Sequence, residues 1–355
     1  MLEIDFRKSV IDQGMDTAVD NAITFGDEIE RLGYGGLWHG HSIVTDLPGL
    51  DALSVLSAVA ARTDRIFLGS AVLQAPLYHP LDLARRAVTL DHLSRGRLIL
   101  GVGTGSLERE FINLDLPYRR RASRLDEMLE VLKLLWTQEG PIDYEGEHFS
   151  FKDVIFLPKP VQQPHPKLVI GGVWHGGILG RPEGGSSQEW SERAITRIAK
   201  YGDGWITLSS LPVARAAEIV GEGVERIKER AKEYGRVITD DEFMMVGETG
   251  MVNVSDSKET ALEEGADFYN ARVARGFHQS RGNPSMATHL ETGCYGTAEE
   301  VADFMRQWIA VKKRVPSLKR IQVNLASLKL VQQLQRFHEE VFPLIEDDLR
   351  EAQSL

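Results

Sequence analysis

Residues 64 to 105, DRIFLGSAVLQAPLYHPLDLARRAVTLDHLSRGRLILGVGTG, constrain the fold more than any other stretch of the chain. Two apolar runs, IFLGSAV and RLILGVG, flank a loop holding Pro76 and Pro80 and then a helical segment with Leu81, Ala84, Ala87, Val88 and Leu93 on one face. Neither run alternates polar with apolar residues, as a half-exposed strand would, so both read as strands covered on both sides and therefore parallel. A right-handed crossover sets them side by side. The loops after Gly69 and Gly101 then open at one carboxyl-terminal edge, which is where function is expected.

The same rhythm extends along the chain. Strands are expected at 2–7, in YGGLW at 34–38, in KLVIGG at 167–172, in WITL at 205–208, in FMMVGETGMVNV as a bent seventh strand, and in RIQVNL at 320–325. Helices separate them, one long helix carrying Leu125, Met128, Leu129, Leu132, Leu135 and Trp136 on its buried side. The rhythm breaks at 137–166, where alternating aromatic and polar residues give way to Pro158, Pro160, Pro164 and Pro166, the pattern of a small hairpin or excursion followed by a rigid approach to the next strand. A last helix is expected to kink or break at Pro343. Eight strands alternating with helices predict an α/β fold, a (β/α)8 TIM barrel spanning 1–355 as one domain, with insertions near 137–166, 172–187 and 271–292. An open doubly wound sheet competes, but the first strand carries no G-x-G-x-x-G turn, and GVGTG at 101–105 is followed by Ser106 where the glycine spacing fails.

Composition narrows the function. A net charge of −11 opposes a general nucleic-acid surface, and the run Arg119, Arg120, Arg121 and Arg124 reads first as a solvated helix start. No apolar run approaches the roughly 20 residues that span a bilayer. The single cysteine, Cys294, excludes an internal disulfide and a thiolate cluster, which with the charged amino terminus points to the cytoplasm. His41, His79 and His175 have no spacing that defines a metal centre, so no metal is expected. Asp203 in YGDG reads as a turn and packing residue.

Several segments together resemble one family, the luciferase-like monooxygenases and oxidoreductases that use FMN or coenzyme F420. They are LGYGGLW at 32–38, RIFLGSAVLQAPLYHP at 65–80, A-x-x-x-A-x-T-L-D-H-L-S-R-G-R-L at 84–98, GVGTG, LDEMLEVLKLLW with YEGEHFSF, YGDGW at 201–205 and YGTAEEV at 295–301. The resemblance implies a flavin or deazaflavin ring at the barrel mouth, a homodimer packed through early helices, and a non-proline cis peptide behind the ring at Ala71-Val72, or at Ser70-Ala71 in the alternative register. It implies oxidoreductase chemistry on a small organic substrate, by hydride transfer or by oxygenation through a flavin hydroperoxide, with a separate flavin or F420 reductase as partner. A non-catalytic flavin-binding homologue and a metal-dependent barrel hydrolase are the alternatives.

On these positions the expected cofactor contacts are Ser70, Ala71, Val72, Gly103, Thr104, Gly105, Ser106 and Gly172. Ser186 and Ser187 in GGSSQE join them as phosphate donors at a helix start, where Ser186 and Glu189 also have the spacing of a plain capping box. The substrate pocket is expected at Leu73, Trp174 and Phe277, and His41 and His175 are the catalytic candidates. The sequence departs from the family at three points. His41-Ser42 stands where relatives carry an acidic residue and a histidine, Ser106 stands where some F420-linked dehydrogenases carry a glutamate, and Thr104 stands in place of the luciferase arginine that binds phosphate.

Overall fold

The computed structural model describes residues 2–8, 18–43, 49–174, 190–207, 211–273 and 290–354. Eight parallel strands form a closed barrel: β1 (Glu3–Lys8), β2 (Gly36–His39), β3 (Phe67–Ser70), β5 (Leu98–Gly103), β8 (Lys167–Gly171), β9 (Gly204–Ile206), β10 (Met244–Val254) and β12 (Leu318–Leu325). The ring closes because β12 pairs with both β1 and β10, and β10 pairs in turn with β9. The pairing of β3 with β5 is the one expected from residues 64–105. Three shorter pieces lie off the ring. β4 (Leu73–Gln74) continues β3 along β5, β6 (Pro141–Glu145) and β7 (Ser150–Ile155) form the antiparallel hairpin, and β11 (Cys294–Gly296) extends beside the end of β10.

Two cores result. Inside the barrel Trp38, Ala71, Ile99, Val169, Ile206 and Val246 pack together. Trp38 lies so close to Gly69 that a Cβ there would sit 2.3 Å from its ring. Outside, the helices α1 (Ala18–Arg31), α2 (Ala52–Ala60), α3 (Pro80–Leu93), α4 (Glu108–Asn113) and α5 (Arg121–Thr137), with those that follow, enclose a larger apolar shell containing Leu56, Ala84, Leu132, Trp136 and Trp308.

Helix α3 corrects one expectation. Its buried stripe is Leu83, Ala84, Ala87, Val88 and Leu90, while Leu93 is 47% exposed. At about 100° per residue the stripe from Leu83 has turned away by residue 93. The helix stops because Arg95 and Gly96 adopt positive φ, and the Gly96 N–H returns to the Asp91 carbonyl at 2.8 Å. Strand β10 is bent as expected, with register shifts at Met245/Val246 and Glu248/Met251. The break expected at Pro343 is a π-helical turn, Phe337–Val341, between the helices Leu330–Arg336 and Phe342–Gln353. Proline has no N–H for the regular ladder, and the wider turn just before it accommodates that loss.

The charged residues of two family-like segments lie at the amino-terminal end of the barrel. Arg97 donates to the carbonyls of Ser94, Ile66, Ala60 and Thr63 and to the Thr63 hydroxyl. Asp91 accepts from the backbone N–H groups of Val161 and Gln162 and from the Gln162 amide. Asp203 accepts the Leu168 N–H at 2.9 Å and so anchors the start of β8, the turn and packing role read from YGDG.

Candidate active site

At the carboxyl-terminal rim the ladder between β3 and β5 is interrupted. Gly69 faces Ile99 and Leu73 faces Val102, so four steps on one strand span three on the other and one residue bulges out of Ser70, Ala71 and Val72. The peptide bond between Ala71 and Val72 is cis. The bulge is seated on glycines. Ser70 donates its hydroxyl to the Gly101 carbonyl at 2.8 Å and accepts the Gly101 N–H at 3.0 Å. A Cβ on Gly101 would fall 1.9 Å from the Ser70 carbonyl oxygen, and one on Gly103 would fall 2.8 Å from the Val72 side chain. Only glycine lets these backbones approach so closely.

By register Gln74 shares the inward face of Gly103. Its amide donates to the His41 carbonyl at 2.9 Å, while its carbonyl oxygen Oε1 is buried without a partner among the described residues. A buried acceptor left unpaired costs about 1–3 kcal/mol, so it marks a position where a donor belongs. Gly105 takes φ +77°, with its Cβ position 3.2 Å from Gln74 and Phe111, and its carbonyl accepts from Arg121. Thr104 is half-buried and Ser106 exposed on the same loop. Gly172, at φ +93°, faces open space at the end of β8.

His41 is enclosed between the end of β2 and the turn after β4. Its Nε2 shares a hydrogen bond of 2.9 Å with the Tyr78 hydroxyl, and its Nδ1 lies 3.8 Å from Asp51, the residue that caps α2. Burial pushes the imidazole below its ordinary range, with Asp51 and then Glu110 pulling the other way, and burial likewise raises the Tyr78 phenol. Glu110 on α4 is fully buried and accepts from the Ser42 hydroxyl at 2.7 Å and the Ile43 N–H at 2.8 Å. A carboxylate therefore does reach this rim, one helical turn beyond Ser106.

Other expected residues fall elsewhere. Leu73 is fully buried in the helix-facing shell, because the bulge turns it to the outward face shared with Val102, so it packs rather than lining the mouth. Trp174 is also in that shell and lines a small recess, with room for about one water molecule, beside Gly172, Val173, Trp205, Thr207, Leu211 and Ile219. His175, Ser186, Ser187 and Phe277 lie outside the described residues. Of the arginine run, Arg121 stacks on Tyr118, and Arg124 donates to the Pro76 and Tyr78 carbonyls while covering Phe149. These two staple loops beside the mouth, while Arg119 and Arg120 are exposed at the helix start, the solvated role read from the sequence.

Sequence reasoning missed a further group. Arg7 on β1 donates to the Ala71 carbonyl at 2.7 Å and pairs with Glu248 on β10. Glu248 in turn accepts from the Asn324 amide at 3.3 Å. Arg7 and Glu248 are 241 positions apart, so only closure of the barrel brings them together. The available signal was period-two spacing, which puts Asp5 with Arg7, and Gln322 with Asn324, on one face of their strands.

Residues 6–179 match the family model described as luciferase-like monooxygenase. The chain spans about half the length of the curated relatives it matches. Among them, an F420-dependent glucose-6-phosphate dehydrogenase of Kineococcus radiotolerans is 39% identical over 124 residues, 34% of this chain and 36% of that one. The oxygenase component of a flavin-dependent trigonelline monooxygenase of Acinetobacter baylyi is 28% identical over 154 residues, 42% of each chain. The crystal structure of the monooxygenase RslO1 from Streptomyces bottropensis superposes with a TM-score of 0.74 at 19% identity, over 96% of this chain and 99% of that one, a likeness of fold. Residues 6–179, which hold the bulge, its glycine seat and the His41 cluster, are the part of the chain that matches the luciferase-like monooxygenase family.

Proposed function

We propose that this chain is a flavin- or deazaflavin-dependent oxidoreductase acting on a small organic substrate, with the cofactor ring against the bulge at Ser70, Ala71 and Val72. One observation carries the reading: the bulge rests on Gly101 and Gly103 beside an inward and buried Gln74 Oε1 that has no partner among the described residues. That combination fits a flat heterocycle, since the glycine seat fixes a firm backing surface and the orphaned carbonyl accepts an N–H from a ring imide. When bound, FMN or F420 supplies the two-electron chemistry.

The chain's own residues then have limited tasks. Ser70 locks the bulge to β5, Gly103, Thr104, Gly105 and Ser106 form the adjoining wall, and Gly172 leaves room at the end of β8. His41, neutral near pH 7 because burial disfavours its cation, holds or passes a proton at Nε2 through Tyr78. His175 as a second catalytic group, Ser186 and Ser187 as phosphate donors, and Trp174 and Phe277 as pocket walls complete the proposal. A homodimer and a separate reductase supplying reduced cofactor belong to the same reading, as does the relation to an oxygenase component.

Titration of the purified protein with FMN and with F420, followed by fluorescence, tests the proposal. Micromolar binding of one and none of the other supports it and selects the cofactor. No binding of either, by folded protein, would overturn it.

A further inference from the structure

The mouth is unevenly furnished. On β5 and β8 its inner face is Gly101, Gly103 and Gly171, with the Val72 side chain reaching across toward them. On β1, β10 and β12, across the lumen, it is Arg7, Glu248 and Asn324. Arg7 links the two halves, because one guanidinium nitrogen holds Glu248 and the other reaches the Ala71 carbonyl at 2.7 Å. The opposite side of the same residue is also held, with the Ala71 N–H donated to the His39 carbonyl at 2.9 Å. Glu248 is itself fixed by its N–H to the Thr207 hydroxyl at 2.7 Å and by the Asn324 amide, whose other bond goes to the Thr249 carbonyl.

We propose that Arg7 is a positioning residue: its guanidinium, aimed by Glu248, holds the Ala71 carbonyl and thereby sets the surface that the bulge presents to the cofactor ring. This rests on the functional reading above. The fork geometry matters. A planar guanidinium donates to a carbonyl and a carboxylate at once in fixed directions, whereas a lysine ammonium is a point charge on a flexible stem. The Arg7 side chain is also 24% exposed while that of Glu248 is 6% exposed, so the cationic member of the pair is the more accessible one among the described residues.

The decisive comparison uses wild type, Arg7→Lys, Arg7→Met, and the double variant Arg7→Met with Glu248→Gln, which leaves no unpaired buried charge if the single variant fails to fold. Each is titrated with whichever of FMN or F420 binds wild type, and the bound cofactor's visible spectrum is recorded. The expected result is at least tenfold weaker binding with a shifted band in the double variant, at a melting temperature near wild type, and partial recovery in Arg7→Lys. Wild-type affinity and an unshifted spectrum in the double variant would overturn the proposal. If wild type binds neither cofactor, the functional reading fails, and the positioning claim is read from amide hydrogen exchange over residues 67–74. Exchange at least tenfold faster in the double variant supports it, and unchanged exchange refutes it.

Discussion

The two ends of this barrel use charge in opposite ways. At the amino-terminal end, buried ions are held by several partners each. Asp5 accepts from Trp38 at 2.7 Å and from Arg320 at 2.8 and 2.9 Å, Arg320 also pairs with Glu3 at 3.1 Å and covers Phe67, and Arg97 meets four carbonyls and a hydroxyl. At the carboxyl-terminal end, glycines replace side chains, the Gln74 carbonyl finds no partner among the described residues, and His41 Nδ1 stands 3.8 Å from its carboxylate. Gln322, midway along β12, marks the change: it is fully buried and neither amide atom is bonded among the described residues. One end is rich in multiply bonded ions and supports folding, while the other pairs an open glycine face with unspent bonding capacity, as expected where a barrel places its site.

Arg97→Met should break this division hardest. It strips donors from the Ala60, Thr63, Ile66 and Ser94 carbonyls, and leaving such buried acceptors unpaired should cost about 3 kcal/mol in urea unfolding. Cofactor affinity of the folded fraction should not change. Loss of affinity together with stability would mean that the two ends are coupled.

Gln74→Leu should act the other way. Removing the orphaned carbonyl is expected to weaken cofactor binding about tenfold, roughly 1.4 kcal/mol, while on stability the relief of that unpaired acceptor offsets the loss of the amide's bond to the His41 carbonyl, leaving it within about 1 kcal/mol of wild type. A variant that binds as tightly as wild type would deny Gln74 any contact with the ring.

The smallest effect concerns pH. His41 has a folded pKa below its ordinary 6.5, so between those two values the unfolded chain binds more protons. Its contribution is complete above pH 6.5 and is lost as pH falls toward the folded value. His79, His148 and His165 are lowered by burial in the same direction. Melting temperature should therefore fall from pH 7.5 to 5.5, and His41→Gln should make that slope shallower; an equal or steeper slope would contradict the assignment.

The sequence disclosed the barrel where local pattern is strong. The unbroken apolar strands of residues 64–105, the proline-rich hairpin segment and the bent strand at 244–254 all read correctly, because each signal lies within a few adjacent residues. Resemblance placed the bulge at Ala71-Val72, which no periodicity would have revealed. The Arg7, Glu248 and Asn324 group stayed hidden because its members come from three strands at both ends of the chain. Leu73 was misplaced because one extra residue in the bulge reverses the inward and outward faces beyond it. Glu110 was passed over because a helical turn, not sequence adjacency, carries it to Ser42.

The central claim is that the glycine-seated bulge, and not the ion-rich end, receives the cofactor. Its most direct test is a fluorescence titration of Gly103→Val beside wild type, since the added side chain would enter the space now held by Val72, 2.8 Å from a Cβ at that position. Affinity at least tenfold weaker for FMN or F420 in the folded variant is the predicted result. Equal affinity in the two proteins would contradict it.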